Sequence, residues 1–196
     1  MRIVGGDWKG RLIEAPKGRE VSRPTTDRVR EAIASMMDSA LQEGIEGARV
    51  LDAFAGTGAL GLEMLSRGAA CATFFDVDRG AAALIKRNLS KLGCDVARFH
   101  VVCGDVLAAA RRGRVSGAPF DAVLIDPPYA LGTRPAEELL AALAGNGLLA
   151  PDSVALFERT QSTPALSVVG FVNLREKRYG QTCIDVLRFS PDESAS

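Results

Sequence analysis

From residue 48 onward the apolar positions of this chain fall into two alternating rhythms, and the alternation predicts the fold. Val50-Leu51, Cys71 to Phe75, Phe99 to Cys103, Phe120 to Ile125 and Ser153 to Phe157 are short apolar runs that read as buried strands. Between them, Leu60, Leu62 and Leu65, a segment from about Gly80 to Leu92, and Pro135 to Leu143 read as helices, the last with proline in its first turn. Two further strands near 166–178 and 182–189 leave no room for a helix between them and are expected to pair antiparallel. The repeating units predict an α/β fold: a mostly parallel seven-stranded sheet, helices on both faces and the last strand antiparallel. Upstream, Thr25 or Thr26 can cap a helix that places Val29, Ile33, Met36, Met37 and Leu41 on one face, with Gly44 and Gly47 ending it. Residues 2–14, with Gly5-Gly6 and Lys9-Gly10 between short apolar pieces, predict a β-hairpin extension.

Length adds that this is one domain: a basic arm over 1–24, a main body over 25–190 and a frayed tail over 191–196. No run reaches the ~18 apolar residues of a membrane span, and the opening Met1–Gly6 stretch is too short for a secretory signal. Cys71, Cys94, Cys103 and Cys183 form no C-x-x-C pair and His100 is the one histidine. No metal site is expected, and the thiols read as reduced and buried in a cytoplasmic protein. The formal charge is zero but uneven: residues 1–30 hold eight Lys/Arg against four acids, while residues 31–196 hold 16 against 20. A basic arm on an acidic body suggests a polyanionic partner; the plain alternative is a solvated surface segment.

The candidate chemistry sits at the strand ends. Gly56-x-Gly58-x-x-Gly61 joins the first strand to its helix, and Asp76 lies twenty residues beyond Gly56, as in a nucleotide-binding fingerprint. The glycines permit a tight turn and close approach of the backbone to a ligand, and Asp76 can accept from both ribose hydroxyls. Asp52, just before the loop, would repel a pyrophosphate but attract an ammonium or sulfonium. Asp105, after the third strand, could accept from an adenine amino group or simply cap a helix. At Asp126-Pro127-Pro128-Tyr129, two prolines remove two donors and fix two φ angles. That corner offers acceptors beside an aromatic ring and suits something flat carrying an NH₂; the plain alternative is a rigid turn.

The Asp52–Gly58 loop, Asp76, Asp105 and Asp126–Tyr129 resemble the successive motifs of class I S-adenosylmethionine-dependent amino-methyltransferases, whose fold is Rossmann-like. Gly5-Gly6-x-x-Lys9-Gly10-Arg11 and Arg23-Pro24-Thr25-Thr26-Asp27-Arg28-Val29-Arg30-Glu31 resemble, more specifically, the bacterial RsmD family, which methylates N2 of a guanine in small-subunit ribosomal RNA. Gly58–Glu63 and Leu65–Gly68 fit as well, and the resemblance runs from residue 2 to about 189. Asp76 stands where many relatives carry Glu, and beyond Asp126 the signal weakens.

The resemblance implies S-adenosylmethionine held by Asp52, Phe54, Gly56, Gly58, Asp76, Asp105, Val106 and Thr26. It implies catalysis by Asp126, Pro127, Pro128 and Tyr129, the Asp126 side chain and Pro127 carbonyl each accepting an amino hydrogen while Tyr129 stacks on the base. RNA contacts fall to Arg11, Arg23, Thr25 and Arg28, with Thr26 and Arg28 alternatively lining the cofactor's methionine end. The implied partner is 16S rRNA within the small ribosomal subunit or an assembly intermediate, without metal or membrane. Three rivals remain: another amino-methyltransferase acting on DNA or a protein glutamine, an NAD-binding oxidoreductase, and a non-catalytic nucleotide-binding module. Trp8 could stack on RNA or pin the arm to the body.

Overall fold

The computed structural model describes residues 1–15, 26–128 and 132–190. The body is a seven-stranded sheet with flanking helices. In chain order it comprises α1 (Asp27–Ala40), β1 (Arg49–Asp52), α2 (Ala59–Ser66), β2 (Cys71–Asp76), α3 (Arg79–Leu92), β3 (Phe99–Cys103) and α4 (Val106–Arg111). β4 (Phe120–Ile125), α5 (Arg134–Gly145), β5 (Leu149–Thr160), β6 (Phe171–Tyr179) and β7 (Thr182–Phe189) complete it. The sheet order is β3-β2-β1-β4-β5-β7-β6, with β1 to β5 mutually parallel. β7 runs antiparallel to both β5 and β6 and lies between them. The short link between β6 and β7 permits only a hairpin, so reversing β7 is the one way to extend the sheet. Helices α1, α2 and α3 pack on one face, and α4 and α5 on the other.

Several boundaries differ from the sequence reading. α1 ends at Ala40, ahead of Gly44 and Gly47: Leu41 is extended and buries its side chain, while the Asp38 carboxylate accepts the Ile45 N–H at 3.0 Å and closes the turn. β5 starts at Leu149 rather than Ser153, and Asp152 adopts φ 56 where the register with β4 shifts. β6 starts at Phe171, later than expected. The thiols are less buried than expected. Cys183 is buried, Cys71 and Cys94 are half-buried, and Cys103 is exposed because β3 is an edge strand. The tail over 191–196 lies outside the described residues.

The N-terminal segment forms a single antiparallel bridge, Arg2 with Leu12, and buries Ile3, Trp8 and Ile13 in the core with α1 and α2. Trp8 therefore pins the segment to the body. The Trp8 N–H donates to Ser66 Oγ at 2.9 Å and the Val4 N–H to Glu63 Oε2 at 3.0 Å. A side chain on Gly5 would collide with Arg67, and one on Gly6 with the Ser66 carbonyl. The Gly5-Gly6 pair thus lets the backbone lie directly on the end of α2. Among the described residues no helix is long and apolar enough to cross a membrane.

Candidate active site

The parallel strands bring their carboxyl ends to one edge, where ligands of such sheets bind. Asp52 ends β1 almost wholly buried, 2% exposed. Its Oδ2 accepts the Gly61 N–H at 3.0 Å. Burial pushes its carboxyl up to about 7; the Gly61 N–H opposes this and the charge of Asp76 adds to it. The loop that follows turns on Gly56 (φ 52) and Gly58 (φ 76), and the Gly58 N–H donates to the Ala55 carbonyl at 2.6 Å. A Cβ on Gly56 would meet nothing within 4 Å, whereas one on Gly58 would stand 3.0 Å from Ile85 Cγ1. On Gly61 it would collide with the Phe74 ring and stand 3.0 Å from Asp52 Oδ2. The first glycine therefore faces open space and the third packs helix against strand.

Asp76 ends β2 with its Oδ2 accepting the Gly56 N–H and its Oδ1 the Asp78 N–H, both at 2.8 Å. It thereby ties the loop to the neighbouring strand, and each oxygen keeps a lone pair for a ribose hydroxyl. Asp105 caps α4, its Oδ1 accepting the Ala108 N–H at 3.1 Å, so the capping alternative is realised and the second oxygen remains for a ligand. Val106, the next residue, is buried, and Phe54, within the glycine loop, is half-buried. These residues lie at the carboxyl ends of β1, β2 and β3.

Asp126 follows β4, half-buried, with no described residue donating to its carboxylate; Pro127 is buried and Pro128 exposed. Burial, then the charges of Glu158 and Asp52, hold its carboxyl well above the ordinary range. Glu158, 3% exposed on β5, was missed in the sequence. The signal was available, since it follows the run Val154 to Phe157 as the other acids follow theirs. Ile125 pairs with Phe157, which sets Asp126 and Glu158 at neighbouring strand positions.

The basic candidates are dispersed. Arg11 donates to the Leu92 and Lys91 carbonyls, both at 2.7 Å, capping the end of α3. Thr26 caps α1, accepting the Val29 N–H at 3.3 Å. Arg28 is exposed, with no ion pair or hydrogen bond among the described residues. Its neighbours are structural: Asp27 pairs with Arg2, Arg30 donates to the Arg2 carbonyl, and Glu31 pairs with Arg67. Tyr129, Arg23 and Thr25 lie outside the described residues. Among the described residues no group of three His, Cys, Asp or Glu side chains could hold a metal ion.

The family model described as "Conserved hypothetical protein 95" matches residues 1–188. The chain is 37% identical to the Escherichia coli K12 protein named ribosomal RNA small subunit methyltransferase D, over 92% of this chain and 86% of that one. The Haemophilus influenzae protein of the same name is 32% identical, over 92% and 89% of the two chains. A solved structure described as "Putative methyltransferase yhhF from Escherichia coli" superposes with a TM-score of 0.79 at 33% identity, covering 97% of this chain and 98% of that one.

Proposed function

Because the chain belongs to the family of ribosomal RNA small subunit methyltransferase D, the Conserved hypothetical protein 95 family, we propose that it transfers a methyl group from S-adenosylmethionine to the exocyclic N2 of a guanine in small-subunit ribosomal RNA. The observation that carries this reading is the arrangement of acids along one sheet edge. Asp52 and Asp76 end, and Asp105 and Asp126 follow, four successive parallel strands, and a Cβ on Gly56 in the first loop would meet only open space.

The cradle suits the cofactor. Asp52 would face the methionine ammonium, Asp76 the ribose and Asp105 the adenine amino group, with Phe54, Val106, Gly56 and Gly58 as walls and Thr26 at the methionine end. When bound, S-adenosylmethionine supplies a methyl group activated by a sulfonium. The chain's own part is to hold the acceptor nitrogen. A guanine amino group is a poor nucleophile because its lone pair is delocalised into the ring. The Asp126 carboxylate and Pro127 carbonyl accept its two hydrogens, draw the nitrogen towards tetrahedral geometry and aim its lone pair into the cradle. As the nitrogen gains the methyl it must lose a proton, and Asp126, made more basic by burial and two neighbouring acids, is suited to hold it. The base must leave any stack to reach this corner, and Tyr129 is the aromatic next in sequence to stack on it. Arg23, Thr25 and Arg28 are assigned to the RNA. Arg11 is assigned instead to fixing the N-terminal arm to the end of α3. A neutral chain grips naked RNA weakly, so the substrate is a preassembled small-subunit particle in the cytoplasm.

The test is methyl transfer to small subunits lacking the modification, with nucleoside analysis for N2-methylguanosine. Asp126→Ala should bind S-adenosylhomocysteine within about threefold of the parent and lose about 10²- to 10³-fold in rate. An unchanged rate, or methyl found on adenine or on protein, would refute the reading.

A further inference from the structure

The strand carrying Glu158 leads the active-site edge towards a second feature. Glu158 pairs with Ile184 on β7, and Ile184 with Lys177 on β6. One transverse row therefore runs Asp126, Glu158, Ile184, Lys177 across the sheet. At ~4.8 Å per strand, the Lys177 backbone lies about 14 Å from that of Asp126. Side chains alternate along β6. Arg175, Lys177 and Tyr179, paired with Val186, Ile184 and Thr182, share the face covered by α1, while Glu176 and Arg178 turn to the other.

Helix α1 lies over β5 and β7, its last turns (Met36, Ser39, Ala40) border a cleft with Leu174 and Arg175, and β6 is exposed from Asn173 to Arg178. Arg175 and Lys177 have no ion pair or hydrogen bond among the described residues. Tyr179 packs half-buried against the core at the end nearest the active site. On the opposite face Glu176 is neutralised by Arg159 at 2.7 Å and Arg178 at 3.0 Å, and Arg159 grips the buried Asp185. β6 is thus fixed to its neighbours and shows, on its open face, cation, cation and aromatic at successive outward positions.

We propose that this face of β6 is a lane for the single-stranded ribosomal RNA that flanks the target guanine, with Arg175 and Lys177 on its phosphates and the Tyr179 ring beneath a flanking base. The inference rests on the reading of the site given above and adds a substrate contact that reading lacks. A second copy of the chain pairing along the free edge of β6 is disfavoured, because it would set these like charges against those of the copy.

The experiment compares the parent chain, Arg175→Gln/Lys177→Gln, Tyr179→Leu and, as a control on the opposite face, Arg178→Gln. KM for unmethylated small subunits is measured at several KCl concentrations and constant magnesium, with S-adenosylhomocysteine affinity and sedimentation alongside. Each phosphate contact to a single strand adds about 0.7 to the salt slope. The double variant should therefore lose about 1.4 of that slope and raise KM on the order of 10-fold near 0.1 M salt. Tyr179→Leu should raise KM and leave the slope unchanged; Arg178→Gln and cofactor affinity should stay at parent values. Unchanged KM and slope in the double variant, with the parent active, overturn the lane alone. So does an equal loss in Arg178→Gln, or self-association of the parent that the double variant abolishes. A parent chain that methylates no ribosomal RNA overturns the reading and the lane together.

Discussion

Replacing Asp52 by Asn should stabilise the ligand-free protein at alkaline pH while abolishing cofactor binding. The Asp52 carboxyl stands at about 7 in the folded chain against 3.8 in its ordinary state. Between those values the folded chain holds a proton that the unfolded chain has lost. Stability therefore falls by about 1.4 kcal/mol per pH unit as pH rises through that window and levels off above about 7. The full loss is about 4 kcal/mol, an upper bound for a buried group. Asparagine is isosteric, keeps an acceptor for the Gly61 N–H at 3.0 Å and never ionises. Its amide brings a donor that costs about 1–3 kcal/mol if it finds no partner. The expected net gain is thus about 1–3 kcal/mol at pH 8, turning into a loss near pH 4. Urea unfolding at several pH values reads this directly. Calorimetry supplies the second half: a cofactor ammonium favours the carboxylate, so binding at pH 6 should release close to one proton in the parent. Asp52→Asn should bind neither S-adenosylmethionine nor its demethylated product. A stability difference independent of pH, or parent-like binding by the variant, would refute a buried, protonated Asp52 that becomes charged to meet the cofactor.

Two further substitutions separate packing from ligand contact. Gly61→Ala should cost about 1–3 kcal/mol in chemical denaturation, because its Cβ collides with Phe74 and crowds Asp52; parent-like stability would mean that α2 can shift away from β2. Arg11→Ala removes two hydrogen bonds to the last carbonyls of α3 and should cost about 1–3 kcal/mol, with faster amide exchange in residues 1–13 and no change in cofactor affinity.

Much of the molecule was legible along the chain for local reasons. A threonine cap on α1 (Thr25 or Thr26), the Gly56–Gly61 turn, the acids ending β1 and β2 and the acid after β4 follow from periodicity and backbone stereochemistry, which neighbouring residues decide. The basic arm illustrates the limit. Its charge suggested a polyanionic partner and Arg11 was a candidate contact, yet the guanidinium of Arg11 is committed to α3, and Arg2 and Arg30 meet through Asp27. Charge is additive in a sequence, but a guanidinium has one set of donors, and where they go depends on which carbonyls the fold brings within 3 Å.

Most strands and helices, the parallel sheet, the Gly56–Gly61 turn and the proline corner after Asp126 were determined by the sequence alone, because each depends on spacing and residue type; α4 entered only as the alternative in which Asp105 caps a helix. Only the tertiary structure decided that burial and neighbouring acids raise the Asp52 and Asp126 carboxyls above their ordinary range, that Glu158 stands beside Asp126, and that the row of acids continues to Lys177 on the far edge. Desolvation and Coulomb energy depend on distance in space, and those distances close between residues as far apart in the chain as 52, 126 and 158.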